Sequence, residues 1–183
     1  DDESVLTRIA DDTDHLQTIF ALDSIGNDRL RAQDDLLPGI SAGELVTDVP
    51  FASIINAAFC HASPTGARFN GPDRGAWYAG FTADVSLAEV SFHHALWLQE
   101  SNHMHDSVTY DAYIADVCGD YHDIRNENAF ADCMRAVDYR HAQTLAVDLL
   151  AKDAAGIIYH SARTPGDCLA CFRPRAVENV RKS

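Results

Sequence analysis

Arg68 stands in Gly66-Ala67-Arg68-Phe69-Asn70-Gly71, a loop rich in glycine ahead of a short apolar run at 77–81. A guanidinium fork grips a diphosphate through two parallel hydrogen bonds, and flanking glycines let a ligand approach the backbone closely. The same pattern also fits an exposed loop arginine in a surface ion pair. Tyr78 follows in the apolar run, where an aromatic ring can stack on a flat heterocycle or serve as an ordinary core tyrosine. Glu89 lies between Ala88 and Val90, close to Leu87. A carboxylate in so apolar a stretch is costly unless it has a partner or a task. The task suited to it is electrostatic: a fixed carboxylate stabilises a sugar cation as a glycosidic bond breaks. A plain surface glutamate on a helix fits the spacing too. Ser161 ends the apolar run 156–160, where a hydroxyl can bond a sugar or a carboxamide. No Ser-His-Asp arrangement surrounds it, so it is not read as a nucleophile. Asn70 and Arg163 are secondary candidates for ribose and phosphate.

Two other groupings could carry chemistry. His93, His94, His103 and His105 cluster, and His103-x-His105 could hold a metal if strand-borne. The surrounding Ser101–Ser107 segment reads as a loop without a matching pair, so no metal is expected. Cys168 and Cys171 form a single C-x-x-C. In a strand these two point to opposite faces, which favours core packing over a metal or redox role. With Cys60, Cys118 and Cys133 they make an odd count of 5, which argues against a disulfide framework.

The elements that must position these residues alternate without a regular βα rhythm. Residues 1–36 carry Val5, Leu6, Ile9, Leu16, Ile19, Phe20 and Leu22 at helical spacings, up to a break at Gly26-Asn27. Pro38, Gly39 and Gly43 mark a loop. Residues 51–60 are apolar enough for a buried helix or strand, and 61–76 form a long irregular segment of the kind that carries function. Trp77–Phe81 reads as a strand with Tyr78 and Trp77 on opposite faces. Thr82 or Asp84 then caps a helix to about Gln99, with Leu87, Val90, His94, Ala95 and Leu98 on one face. Residues 107–117 alternate as a strand, and 119–136 are polar and ambiguous. A helix over 139–153 carries Ala142, Leu145, Ala146, Leu149 and Leu150 and ends at Gly156. Gly156–His160 and Cys168–Phe172 read as two strands joined around Pro165-Gly166, and the tail 175–183 as frayed. The mix predicts an α+β fold rather than a doubly wound sheet. It divides into a helical extension at 1–50, packed on the core, and a main domain at 51–183.

The 183 residues carry a formal net charge of −14 and a pI near 4.8. An acidic surface repels phosphate backbones, so direct nucleic-acid binding is not expected. No apolar run is long enough to span a membrane. No charged-then-apolar leader opens the chain, so a cytoplasmic location is expected.

Taken in order, Gly66–Gly71, Gly75–Ala79, Leu87–Val90, Tyr139–Gln143 and Gly156–Arg163 resemble the RES-domain family over roughly residues 64–175. Gly66-Ala67 stands where the family often has two glycines. The resemblance implies an ADP-ribosyltransferase-like split-sheet core with surrounding helices. It implies the toxin of an Xre/RES-type bacterial type II toxin–antitoxin system, an enzyme that consumes NAD+ as substrate without a metal. Arg68, Tyr78, Glu89 and Ser161 are then the catalytic set, and Arg68, Asn70, Tyr78, Ser161 and Arg163 contact NAD+. The reaction implied is cleavage of the nicotinamide–ribose bond by hydrolysis or phosphorolysis. Alternatives are a mono-ADP-ribosyltransferase acting on an essential host protein, or a RES-fold binding module without turnover. Arginine-directed transferases carry a second acid two positions before the glutamate; Leu87 occupies that position here. The implied partner is an Xre-like antitoxin that blocks the active site, within a complex that holds a homo-oligomer of the toxin.

Overall fold

The strand Asp167–Cys171 is apolar at four successive positions, and all four are buried. A strand buried on both faces belongs in the middle of a sheet. The computed structural model, which describes residues 36–101 and 108–183, shows it there. In chain order the elements are α1 (Ala52–Cys60), β1 (Trp77–Gly80), α2 (Ala83–Ser101), β2 (Tyr113–Val117), β3 (Tyr121–Asp123), α3 (Arg140–Ala151), β4 (Gly156–His160), β5 (Asp167–Cys171) and β6 (Val177–Lys182). Short 3₁₀ turns occupy Ala42–Glu44, Asn128–Met134 and Pro174–Ala176.

Four strands form one sheet in the order β1-β5-β4-β3. The β1–β5 and β5–β4 pairs are antiparallel, with Tyr78 opposite Ala170 and Tyr159 opposite Cys168. The β3–β4 pair is parallel, and α3 lies on the crossover between them. A separate two-stranded ribbon pairs β2 with β6. The fold is α+β, as its sequence pattern predicts.

Alternation along β5 divides the interior. Cys168 and Ala170 pack with Phe69, Val85, Ala142, Ala146, Ile157 and Tyr159. Leu169 and Cys171 pack with Ile55, Phe59, Val177 and Val180. The two cysteines therefore sit on opposite faces of the sheet, and the described cysteines are free thiols. Trp77 packs on the second side, away from Tyr78.

Several expectations need correction. The apolar segment 51–60, open between helix and strand, is helix over Ala52–Cys60. The strand expected over 107–117 is confined to Tyr113–Val117. The tail is not frayed: β6 pairs with β2, burying Val177 and Val180. Its buried positions fall three apart, and Asn179 takes a left-handed φ of 49°. That bulge breaks the period-two pattern that reveals a strand. Gly156 does not stop α3. The helix gives way at Lys152 and at Asp153, whose φ is 64°. Gly156 opens β4 instead, where a Cβ would stand 2.2 Å from the Ala170 carbonyl oxygen. The apolar face expected on α2 is not its buried face: Leu87 and Ala95 are exposed, and Val90, His94 and Leu98 only half-buried. The helix expected before Asp35, and His103 and His105, lie outside the described residues. No helix among the described residues is long and apolar enough to cross a membrane.

Candidate active site around Glu89 and Ser161

The chain leaves β4 at His160, and the next residue is drawn back by Ser161 N–H donating to the Gly166 carbonyl at 2.9 Å. This turn points the Ser161 hydroxyl at α2, where it donates to Glu89 Oε1 at 2.6 Å. The N–H groups of Arg163 and Thr164 donate to the same Oγ at 3.1 and 3.2 Å. With both lone pairs occupied, the hydroxyl proton has one direction left, and it goes to the carboxylate. Ser161 thus orients Glu89.

Helix α2 presents Glu89 because both ends of its approach are tied down. Thr82 caps the first turn through Val85 N–H, and Ser86 Oγ accepts from Gly80 N–H at 2.9 Å, joining α2 to β1. Phe92 and His93 follow Glu89 by three and four residues, so the three share one helix face. The Arg163 guanidinium carbon lies 3.4 Å from the Phe92 ring centroid. Its Nη2 donates to the Ala136 carbonyl at 3.0 Å, while its buried Nε has no partner among the described residues. A guanidinium over an aromatic face is held by the ring quadrupole. Arg163 therefore brings a fixed positive charge to the edge of the Glu89 site.

His93 has its pKa lowered, first by desolvation and further by the charges of Arg163 and Arg68, against the opposing pull of Glu89. The shift favours the neutral imidazole. Cys168, behind Ser161, has its thiol pushed up to about 11 by burial and by Glu89. It is a packed thiol, not a reactive one.

A second group of polar contacts gathers around Arg68. This arginine is 7% exposed, not the open loop residue its surroundings suggest. Its Nη1 donates to the carbonyls of Cys133 and Arg135 at 3.1 and 2.7 Å, and its guanidinium carbon lies 4.8 Å from the Tyr139 ring centroid. The Tyr78 hydroxyl accepts Phe69 N–H at 2.8 Å and donates to Asn70 Oδ1 at 2.9 Å. Burial of that hydroxyl pushes its pKa well up. Asn70 Nδ2 donates to the carbonyls of Gly71 and Arg74. Tyr78 and Asn70 thus hold the Arg68 loop by direct bonds. Arg68 also contributes positive charge at Tyr78, His93 and Tyr159, so the two groups share one electrostatic neighbourhood.

A RES-domain model matches residues 46–183. The chain belongs to the RES-domain family. A search of curated proteins finds no match.

Within this RES domain the structure joins Glu89, Ser161 and Arg163 directly, and ties Tyr78, Asn70 and the Arg68 loop to one another. Phe92, His93, Tyr139 and Gln143 also belong to the site, and sequence reasoning does not single them out as site residues. His93 reads as one of a histidine group, although its spacing of four from Glu89 is visible. Tyr139 and Gln143 are likewise four apart, on the edge of α3 that faces the Arg68 loop. Among the described residues no cluster of three or more His, Cys, Asp or Glu side chains could hold a metal ion. A recess of about 460 Å³ beside Asp120, Asp153 and Arg173 includes none of the Glu89 or Arg68 groups. The convergence of polar side chains, rather than cavity volume, marks the site.

Proposed function

We propose that this RES domain cleaves the nicotinamide–ribose bond of NAD+. The observation that carries the reading is the Glu89 carboxylate oriented by a neutral hydroxyl, Ser161, at 2.6 Å. An ion-pairing cation would cancel the negative charge; a hydroxyl fixes its direction and leaves the charge in place. When the bond from ribose C1′ to nicotinamide breaks, the electron pair leaves with nicotinamide, which becomes neutral. Positive charge then develops on the ribose, and a fixed carboxylate stabilises it. Water adding at C1′ gives ADP-ribose and releases a proton; phosphate adding there gives the 1-phosphate. Arg68 and Arg163 supply positive charge for the diphosphate. In Arg68 that role falls to the part of the guanidinium not spent on the Cys133 and Arg135 carbonyls. Tyr78, and the loop it holds with Asn70, support the nicotinamide side.

ADP-ribosylation of a host protein uses the same bond cleavage with a side chain as acceptor. Leu87, two positions before Glu89, is apolar and 60% exposed, so the second acid of arginine-directed transferases is missing. Water or phosphate is therefore the proposed acceptor. In the cell we propose a toxin held in check by an Xre-like antitoxin over this site, within a complex containing a toxin homo-oligomer. The antitoxin makes the DNA contact, because a chain of net charge −14 is repelled by phosphate backbones.

The test is nicotinamide release from NAD+ by the purified chain, in phosphate and in phosphate-free buffer, each with and without EDTA. Release that survives EDTA is expected, with the product in phosphate buffer identifying the acceptor. No release under any condition makes the domain a binding module. Release abolished by EDTA makes the reaction metal-dependent and removes this mechanism.

A further inference from the structure

The Arg68 loop folds back on itself: Ala67 N–H donates to the Asn70 carbonyl at 2.9 Å, and Gly66 takes a φ of +71°. A Cβ at Gly66 would stand 2.1 Å from that same carbonyl oxygen, so the turn requires glycine. The fold turns the carbonyls of Thr65, Ala67 and Asn70 toward one point. Gln143 Nε2 occupies it, at 3.0, 3.0 and 3.2 Å. A side-chain amide has two N–H bonds, so the three acceptors share them. No other side chain among the described residues makes as many of the hydrogen bonds to this loop's backbone.

Gln143 sits in the first turn of α3, one helical turn after Tyr139, whose ring packs against the Arg68 guanidinium. One edge of α3 thus meets both the side chain of Arg68 and the backbone that carries it. The Tyr78 hydroxyl grips the loop through Phe69 N–H and Asn70. The loop is clamped between a strand and a helix, and the helix half of the clamp is a single amide.

We propose that Gln143 is a positioning residue: it sets the Arg68 loop, and through it the affinity for NAD+, without touching the substrate. The effect on affinity rests on the NAD+-cleavage reading; the clamp itself does not. Gln143→Met fills the same space without a donor. Gln143→Glu keeps the shape and sets a carboxylate against three carbonyl oxygens. Gln143→Lys restores N–H donors.

The measurements are KM and kcat for nicotinamide release, and hydrogen exchange of the Phe69 amide. Met and Glu variants are expected to raise KM about tenfold with kcat within about threefold, the scale of one lost hydrogen bond. Their Phe69 amide exchanges faster, and the Lys variant recovers both readouts. If Gln143→Met does not fold, the Lys and Glu variants, opposite in donor capacity, carry the same comparison. Parent-like KM and exchange in the Met or Glu variant overturns the proposal. So does a Lys variant no better than Met or Glu, because packing alone would then explain the effect. If the parent releases no nicotinamide, the reading of function falls, and Phe69 exchange alone decides the clamp.

Discussion

Consecutive residues at the end of β4 feed two polar clusters of opposite character. His160 Nδ1 meets Asp167 Oδ1 at 2.8 Å, Asp167 Oδ2 accepts from Arg125 at 2.6 Å, and Arg125 forks onto Asp123. Every acid there has a cation, and the Arg125–Asp123 pairing holds the Asp123 carboxyl down at about 2. Ser161, the next residue, meets Glu89 instead, with no cation bonded to the carboxylate among the described residues. In the first cluster two carboxylates share the Arg125 cation, half open to water, which is the pattern of a surface ion network. The second keeps a directed negative charge beside an arginine Nε with no partner among the described residues. An acid that already has its cation has no charge to spare for a substrate; one held by a hydroxyl does.

Breaking the second cluster in the cell is expected to have the largest effect. Expression of the parent should deplete cellular NAD+ and arrest growth, and Glu89→Ala should restore both at equal levels of folded protein. Equal arrest by the two chains would remove Glu89 from the account.

Arg68→Ala comes next, and it should act twice. It raises KM for NAD+, and it leaves the Cys133 and Arg135 carbonyls without their donor, at a cost of about 1–3 kcal/mol in a denaturation titration. Unchanged stability would mean that the two carbonyls find other donors.

Ser161→Ala should lower kcat about tenfold with little change in KM, because it frees the carboxylate to turn without removing it. A loss as large as that of a Glu89 variant would make Ser161 a direct participant.

Asp167→Asn, in the first cluster, should leave kcat within about twofold, since exposed ion pairs contribute little. The pH dependence of that cluster has a defined sign. Asp123 and Asp167 both titrate below their ordinary values because of Arg125. The stabilisation they give is therefore complete above about pH 3.9 and is lost as pH falls toward about 2, where Asp123 titrates. Acid denaturation of Asp123→Asn should show a shallower loss in that window, and added salt should shrink the difference.

The parts of this fold that are legible in the sequence are those whose signals are local. The β4–β5 hairpin follows from two apolar runs around Pro165-Gly166, and α3 from its period of Ala142, Leu145, Ala146 and Leu149. The division at the start of β1, Trp77 to one face and Tyr78 to the other, follows from strand alternation.

The contacts that are not legible are made with partners distant in sequence. Arg68 reads as an open loop arginine because its burial comes from carbonyls 65 and 67 residues away. Ser161 and Glu89 are 72 residues apart, and no local pattern pairs them. The strand β6 hides behind the turn at Asn179, and Gly156 looks like a helix stop because the close approach of Ala170 that requires it is a tertiary contact.

The most direct test of the central claim compares the parent with Glu89→Gln, which keeps the shape of the side chain and removes its charge. NAD+ binding is measured by calorimetry, and nicotinamide release is followed by NMR at saturating NAD+. The carboxylate acts on a charge that exists only as the bond breaks. Binding close to that of the parent is therefore expected, with release slowed about 100- to 1000-fold. A Glu89→Gln chain that binds NAD+ and releases nicotinamide at the parent's rate would contradict it.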